Sequence, residues 1–441
     1  LRRRQRQMCI RDRKKMFAPA TFSLFIREYP PNRGYFVSAG LEDVLEFLES
    51  FHFNQEDLDY LHSLSFFSKD FLHYLSTLRF TGDVFAIPEG RLFFKDEPIL
   101  EITAPIIEAQ LVETFVMNAI NLQVTIATKA ARCVHAAKGK KLVDFSLRRT
   151  QGIDAGLKVA RASYIAGFIG TSNVLAGKLY NIPVFGTMAH SFVTSFEREI
   201  DAFRAFAEMF PEDTVFLIDT YDTIIGAHKA AIVGKEMLNR GKKLKGVRLD
   251  SGDMASLSKE VKAIFKEAGL NDISIFASGG FDEYKIAKVI EEGAEIDAFG
   301  VGTKMGVSAD APYADIAYKL VNYDGRPVLK LSTGKRTLVG EKQVFRITDG
   351  NSLKKDIIAL RDEELEGEPL LKPVMKKGKR LQSSPSLNEI RERFQLEFSM
   401  LDDTYKRLVN PETFPVELGP KLEALQKQVI FKIREKELGK S

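Results

Sequence analysis

Arg248 and Asp250, two charges one residue apart in Val247–Asp253, share a face if that stretch is a β-strand. At an interior strand end both are costly unless a ligand satisfies them or they satisfy each other. A cation there suits a phosphate. An anion suits ribose hydroxyls, or the positive charge that builds on a sugar as its anomeric bond breaks. A structural ion pair fits the same pattern. His190 closes the stretch Pro183–His190, which reads as a short buried strand broken at Gly186. No Cys, Asp or Glu lies near it at ligand spacing, and the nearest acid is Glu197, so zinc is not expected. A nucleophilic or acid–base histidine fits better, beside the bland alternative of a structural one.

Two glycine-bearing loops add a second chemistry. Ser278, Gly279 and Gly280 follow one apolar run, and Gly302 and Thr303 follow the next. Glycines where helices begin let backbone amides approach a phosphate, although tight turns alone would also use them. In Asp144–Thr150 an aromatic ring, Phe145, stands beside Arg148 and Arg149, a set suited to a flat anionic ligand; Phe145 taken alone reads more readily as core.

The elements that must hold these residues alternate. From Lys141 to Thr303, apolar runs ending in polar or glycine residues alternate with helical stretches near 153–168, 197–209, 222–240, 253–268 and 281–292. That alternation predicts an α/β fold with a parallel sheet. Functional residues at six separate strand ends favour an irregular TIM-like βα barrel over an open sheet, which gathers them at one switch point. Residues 17–104 read as an α+β domain, with strands at 21–27 and 35–38, a helix over Leu41–Leu48 and a helical region over 55–78. The barrel is assigned 105–320, opened by a long helical region over 105–137. Segment 321–441 is expected to pack on the N-terminal domain, with hairpins at Asp324-Gly325 and Thr333-Gly334 and helices over 386–408 and 420–438.

At 441 residues two or three domains are expected, and 28% charged and 44% apolar residues are those of a globular enzyme. Two cysteines make no disulfide framework, so a reducing cytoplasm is the expected setting, with no membrane span. Eight basic side chains crowd residues 1–15 against Asp12 alone; this exceeds the net charge of +4, so the remainder is slightly acidic. Nucleic acid is therefore not an expected partner. Residues 1–16, which start at Leu rather than Met, read as a disordered, non-native basic tail.

Together these motifs resemble the nicotinate phosphoribosyltransferase family, over residues ~20–440. The resemblance rests on Phe145–Arg149, Gly186–Ser191, Arg248–Asp253, Ser278–Gly280 and Gly300–Thr303. It implies an ATP-coupled enzyme that joins nicotinate to 5-phosphoribosyl 1-pyrophosphate, the first step of NAD salvage, on a barrel flanked by a domain built from both chain ends. It implies His190 as the transiently phosphorylated residue and Asp250 as the ribose holder. Phe145, Arg148, Ser172, Thr187 and Arg248 would bind substrate. Ser278, Gly279, Gly280, Gly302 and Thr303 would hold the 5-phosphate. Mg²⁺ would enter with the diphosphate, and a homodimer is implied, with the site near the subunit boundary. Nicotinamide-using relatives carry an acid where Ser172 falls; a serine favours the carboxylate of nicotinate. The family's usual Thr-Asp-x-Tyr helix is replaced here by the basic segment. A nicotinamide- or quinolinate-using relative and a non-catalytic binding scaffold are the competing readings.

Overall fold

A computed structural model describes residues 7–8, 10–12, 14–331 and 337–439. The chain forms two compact units, one of residues 1–125 with 313–441 and the other of residues 126–312. These limits differ from the expected 105 and 320. The reason is long-range pairing: strand Ile316–Tyr323 lies antiparallel to Pro19–Ile26 and so belongs with the chain ends.

The second unit holds the parallel sheet. Its strands are β1 (Lys141–Asp144), β2 (Gly170–Thr171), β3 (Val215–Leu217), β4 (Gly246–Leu249), β5 (Ser274–Ala277) and β6 (Ala298–Val301). Their spatial order is β2-β1-β6-β5-β4-β3, with every neighbouring pair parallel. Helices Ile153–Ile165, Glu199–Met209, Thr223–Asn239, Met254–Glu267 and Glu283–Glu291 make the crossovers, each within a few residues of its predicted span. Asp222, Asp253 and Asp282 start three of them, their carboxylates accepting from backbone amides of the first turn. Leu142, Val143, Phe216, Leu217, Val247, Leu249, Ile275, Ala277, Phe299 and Val301 are buried, as strands covered on both faces must be.

One expected strand is corrected. Pro183–Phe185 makes a single parallel bridge, Thr171 to Val184, and Val184 and Phe185 are 48% and 39% exposed. The stretch lies beyond β2 at the sheet's edge, so nothing pairs with its outer side. The sixth strand is instead β2, which leads into Ser172. β3 and β2 are the two ends of the ladder, so this irregular barrel is not closed by hydrogen bonds.

The first unit is α+β, built from both chain ends. Seven strands form a sheet in the order Arg326–Pro327, Ile316–Tyr323, Pro19–Ile26, Leu100–Pro105, Asp83–Ala86, Lys372–Lys376 and Lys379–Arg380. Helix Leu41–Ser50 buries Leu41, Val44, Leu45 and Leu48, the predicted face. The region read as one helix over 55–78 is two, Gln55–Ser63 and Lys69–Thr77. Ser65 at φ +54° ends the first, and the Ser68 hydroxyl accepts from Phe71 N–H to start the second. Likewise the long helical region over 105–137 is Ile106–Leu111 followed by Glu113–Ala136. Asp324 and Gly325, both at positive φ, turn the expected hairpin; Thr333-Gly334 lies outside the described residues. Ser386 and Glu389 form a capping box ahead of helix Leu387–Met400.

Of the basic segment, residues 1–6, 9 and 13 lie outside the described residues. Residues 7–8 and 10–12 are helical, Met8 is buried, and the Arg11 guanidinium donates to Gln110. Helical turns therefore stand where an unstructured tail was expected, because one apolar side chain finds the core. No described helix is long and apolar enough to cross a membrane.

Candidate active site

The C-terminal ends of β1, β4 and β5 and the segment at Thr187 meet at the Arg248 guanidinium. Strand alternation sends Arg248 and Asp250 to the same side, as expected, and Nη2 of Arg248 donates to Asp250 Oδ1 at 2.8 Å. Nε donates to Ser278 Oγ at 2.8 Å and Nη1 to Thr187 Oγ1 at 2.9 Å. The guanidinium carbon lies 5.5 Å from the centre of the Phe145 ring. One side chain thus ties four segments together, and its partners leave it little freedom. Burial pushes the Asp250 carboxyl up, but hydrogen bonds from Ser278 and Arg248 outweigh it and hold the group below its ordinary pKa. Asp250 is therefore a fixed anion at neutral pH.

His190 is the first residue of the short helix His190–Thr194. Its Nδ1 is 3.2 Å from Thr220 Oγ1, and its Nε2 is 3.8 Å from Asp250 Oδ2. The ring is 44% exposed, open to a ligand while anchored at one nitrogen. Asp219, at the end of β3, was legible as a strand-end residue but absent from the candidate set. Its Oδ2 accepts from Asp250 N–H at 2.9 Å and from Ser251 Oγ at 2.6 Å. Its Oδ1 is buried without a hydrogen-bond partner among the described residues, a costly arrangement.

The two glycine loops lie side by side because β5 and β6 are neighbours. Gly279 has φ +101°, and a Cβ there would come within 2.0 Å of the Asp250 carbonyl oxygen. Only glycine fits that approach. Gly280 follows at φ +70°, and Asp282 caps the helix that begins at Glu283. Gly302 precedes Thr303, whose hydroxyl accepts from Arg149 Nη1 at 3.2 Å. Lys285 donates to the Gly279 carbonyl at 2.6 Å and Lys304 to Asp282 at 2.7 Å. Lys285 and Lys304 are thus cations flanking the loops that were not among the expected site residues, and Arg149, expected beside a flat anionic ligand, reaches the Thr303 loop instead. Burial and the nearby Lys304 lower the Lys285 pKa.

Phe145 follows β1, its ring 5.5 Å from that of Phe276. Gly300 makes room for both, since a Cβ there would come within 3 Å of either ring. The β1–β2 register sets Asp144 opposite Thr171, and Ser172 N–H donates to the Asp144 carbonyl at 2.8 Å, just before Phe145. Phe145, Phe185, Gly186, Thr187, Ile275 and Phe276 border a cavity of about 180 Å³. Arg148 is exposed on the 3₁₀ turn Leu147–Arg149 and has no hydrogen bond or ion pair among the described residues; its neighbour Arg149 reaches Thr303 instead. His190, Asp250, Arg248, Thr187, Phe145 and Ser278 are thus linked by direct contacts. Thr303 joins through Arg149, and Ser172 through strand register.

Comparison with known proteins agrees across the whole chain. Residues 6–121 match the nicotinate phosphoribosyltransferase N-terminal domain, residues 140–356 the nicotinate phosphoribosyltransferase family, and residues 364–426 the C-terminal domain of the same enzymes. The first match begins inside the basic segment. Nicotinate phosphoribosyltransferase pncB2 of Mycobacterium tuberculosis is 50% identical over 380 residues, covering 86% of this chain and 82% of that protein. The Bacillus subtilis nicotinate phosphoribosyltransferase is 38% identical over 432 residues, covering 91% and 88%. Among solved structures, human nicotinic acid phosphoribosyltransferase superposes with a TM-score of 0.87 at 29% identity, over 97% of this chain and 99% of that one. On the profiles, the identity and the shared fold, the chain belongs to the nicotinate phosphoribosyltransferase family.

Proposed function

We propose that this enzyme transfers the phosphoribosyl group of 5-phosphoribosyl 1-pyrophosphate to the ring nitrogen of nicotinate, with ATP hydrolysis coupled through His190. The observation that carries the reading is the Arg248 node, which joins an anionic sugar site (Asp250), a phosphate loop (Ser278) and an aromatic platform (Phe145).

The chemistry follows from those placements. The bond from the anomeric carbon to diphosphate breaks, its electron pair leaves with the diphosphate, and the lone pair of the pyridine nitrogen forms the new C–N bond. Positive charge on the ribose is greatest between these events, and the ionised Asp250 is the anion set to face it. Phe145 stacks the ring, Ser172 donates to the nicotinate carboxylate, and Arg148 and Arg248 supply positive charge to substrate anions. The amides of Gly279, Gly280 and Gly302, with the hydroxyls of Ser278 and Thr303, hold the 5-phosphate. Magnesium carried by the diphosphate would neutralise the leaving group. Asp219 and Asp250 fit that ion, because the buried Oδ1 of Asp219 lacks a partner. No group of three or more His, Cys, Asp or Glu is gathered for a metal among the described residues, so such an ion would keep most of its ligands from phosphate and water.

For energy coupling, the His190 tautomer whose Nδ1–H donates a hydrogen bond to Thr220 Oγ1 leaves the Nε2 lone pair to attack the γ-phosphorus of ATP as the bond to ADP breaks. The phosphate so placed adds about −1.5 to −2 charges beside the cleft. We further propose a cytoplasmic homodimer: Val174, Leu175, Leu179, Val184 and Phe185 stand exposed around the β2 edge, an apolar surface that a second copy would cover.

Two variants separate the roles. His190→Ala should abolish phosphoenzyme labelling and ATP hydrolysis while slower phosphoribosyl transfer persists. Asp250→Ala should keep labelling and lose transfer. An acid-labile, base-stable phosphoenzyme in His190→Ala would overturn the assignment.

A further inference from the structure

Helix Glu113–Ala136 carries two cations that the reaction leaves unused. Lys129 and Arg132, three residues apart and so on one helix face, are each 1% exposed. Cations so buried cost several kcal/mol unless matched, so their partners are informative. The Lys129 ammonium lies 2.5 Å from Glu283 Oε2 and 2.6 Å from Asp310 Oδ1. Arg132 Nε donates to Glu283 Oε1 at 2.9 Å, and its Nη2 to the Tyr284 hydroxyl at 3.2 Å.

The two carboxylates belong to different loops. Glu283 is the first residue of the helix that the Ser278–Asp282 loop feeds, and it is fully buried. Asp310 lies just beyond the short helix Thr303–Gly306 that Gly302 opens. A second ion pair, Lys304 to Asp282 at 2.7 Å, spans the same two loops. The spacing of the loops is thus held at two points, one centred on the buried Lys129 and Glu283 with the more exposed Asp310, the other half-exposed. A phosphate gripped by both loops requires that spacing, since amide and hydroxyl donors lose their hydrogen bonds over a few tenths of an ångström.

We infer that Lys129 is a positioning residue for the phosphoribosyl substrate, bridging Glu283 and Asp310 so that both glycine loops donate to one phosphate. This rests on the assignment of those loops to the 5-phosphate. Lys129 touches no substrate; it fixes the groups that do. Its loss therefore weakens the sugar phosphate and leaves the pyridine slot alone, since that slot is built from β1, β2 and the segment at Thr187.

The test uses the full-length enzyme carrying Lys129→Met, and Asp310→Asn as a second variant in case the buried change prevents folding. Each should raise the KM for 5-phosphoribosyl 1-pyrophosphate and the Ki of ribose 5-phosphate about tenfold or more, within the roughly 100-fold that a 1 Å misplacement can cost. The KM for nicotinate should stay within about twofold, kcat at saturation should change little, and Lys129→Arg should recover most of the loss. A lowered melting temperature with both KM values unchanged would make the cluster structural only and refute the inference, as would an equal rise in both. Thr303→Ala separates the two ideas. If it weakens ribose 5-phosphate while Lys129→Met and Asp310→Asn do not, the positioning role fails and the phosphate loops stand. If none of the three variants does, both fail.

Discussion

Gly279→Ala is the sharpest perturbation the site offers, because two costs can be separated. The residue sits at φ +101°, where a side chain is strained by about 1–3 kcal/mol. Its new Cβ would also stand 2.0 Å from the Asp250 carbonyl oxygen and 3.0 Å from the carbonyl carbon. Real Cβ contacts do not fall below 3.0 Å, so loop and strand end must part by about 1 Å. The atoms struck are backbone, so no rotamer change relieves them. A shift of that size breaks the Ser278–Asp250 and Ser278–Arg248 hydrogen bonds and moves the carboxylate off the sugar. Misplacement near 1 Å costs up to about 100-fold in rate, or about 2.7 kcal/mol of transition-state stabilisation. Gly269→Ala is the control. It has φ +75°, open space where its Cβ would go, and lies at the C-terminal end of helix Met254–Glu267. It should lose about 1 kcal/mol of stability and no activity. Initial rates with the phosphoribosyl substrate varied, alongside thermal unfolding, measure both effects. If Gly279→Ala keeps kcat/KM within about threefold of the parent and loses only as much stability as Gly269→Ala, the steric coupling of loop to carboxylate is wrong.

Two further outcomes are expected. Nicotinate should be used far better than nicotinamide, and Ser172→Asp should weaken nicotinate by about 1–3 kcal/mol through a lost hydrogen bond plus repulsion; equal turnover of the two pyridines by the parent enzyme would contradict this. The Ser278 hydroxyl helps hold the Asp250 pKa down against burial, so Ser278→Ala should raise it and lose the reactive carboxylate at higher pH on acidification. The acid limb of kcat/KM should then move upward, and an unmoved limb would show that Asp250 does not control it.

How legible this was depended on how far apart in the chain the deciding contacts lie. Asp250, Ser278 and Gly302 were readable because each follows its own apolar run, and the crossover helices because Asp222, Asp253 and Asp282 announce their starts. Pro183–Phe185 misled because an apolar triplet does not say whether a neighbour exists on both sides. Gly170–Thr171, the true strand, is too short to show any alternation. Composition alone made residues 1–16 look unstructured, yet burial of Met8 turns on packing against distant residues. Arg148 and Arg149 are adjacent and chemically identical, and only the 3₁₀ turn decides which one reaches Thr303.

The same logic explains why the groups proposed to react could be read from the chain while those proposed to hold them could not. A reacting residue must break its own element's local pattern: a charge in an apolar strand, a glycine at a helix start, a histidine where a strand ends. Such breaks are visible at short range. A positioning residue conforms to its element instead. Lys129 and Glu283 are good helix formers on helices, and neither breaks the pattern of its own helix. Their function exists only in a 2.5 Å contact between residues more than 150 positions apart. Asp219 falls between these cases. Its place at a strand end was legible, but its importance rests on one buried oxygen without a partner, which only the folded chain displays.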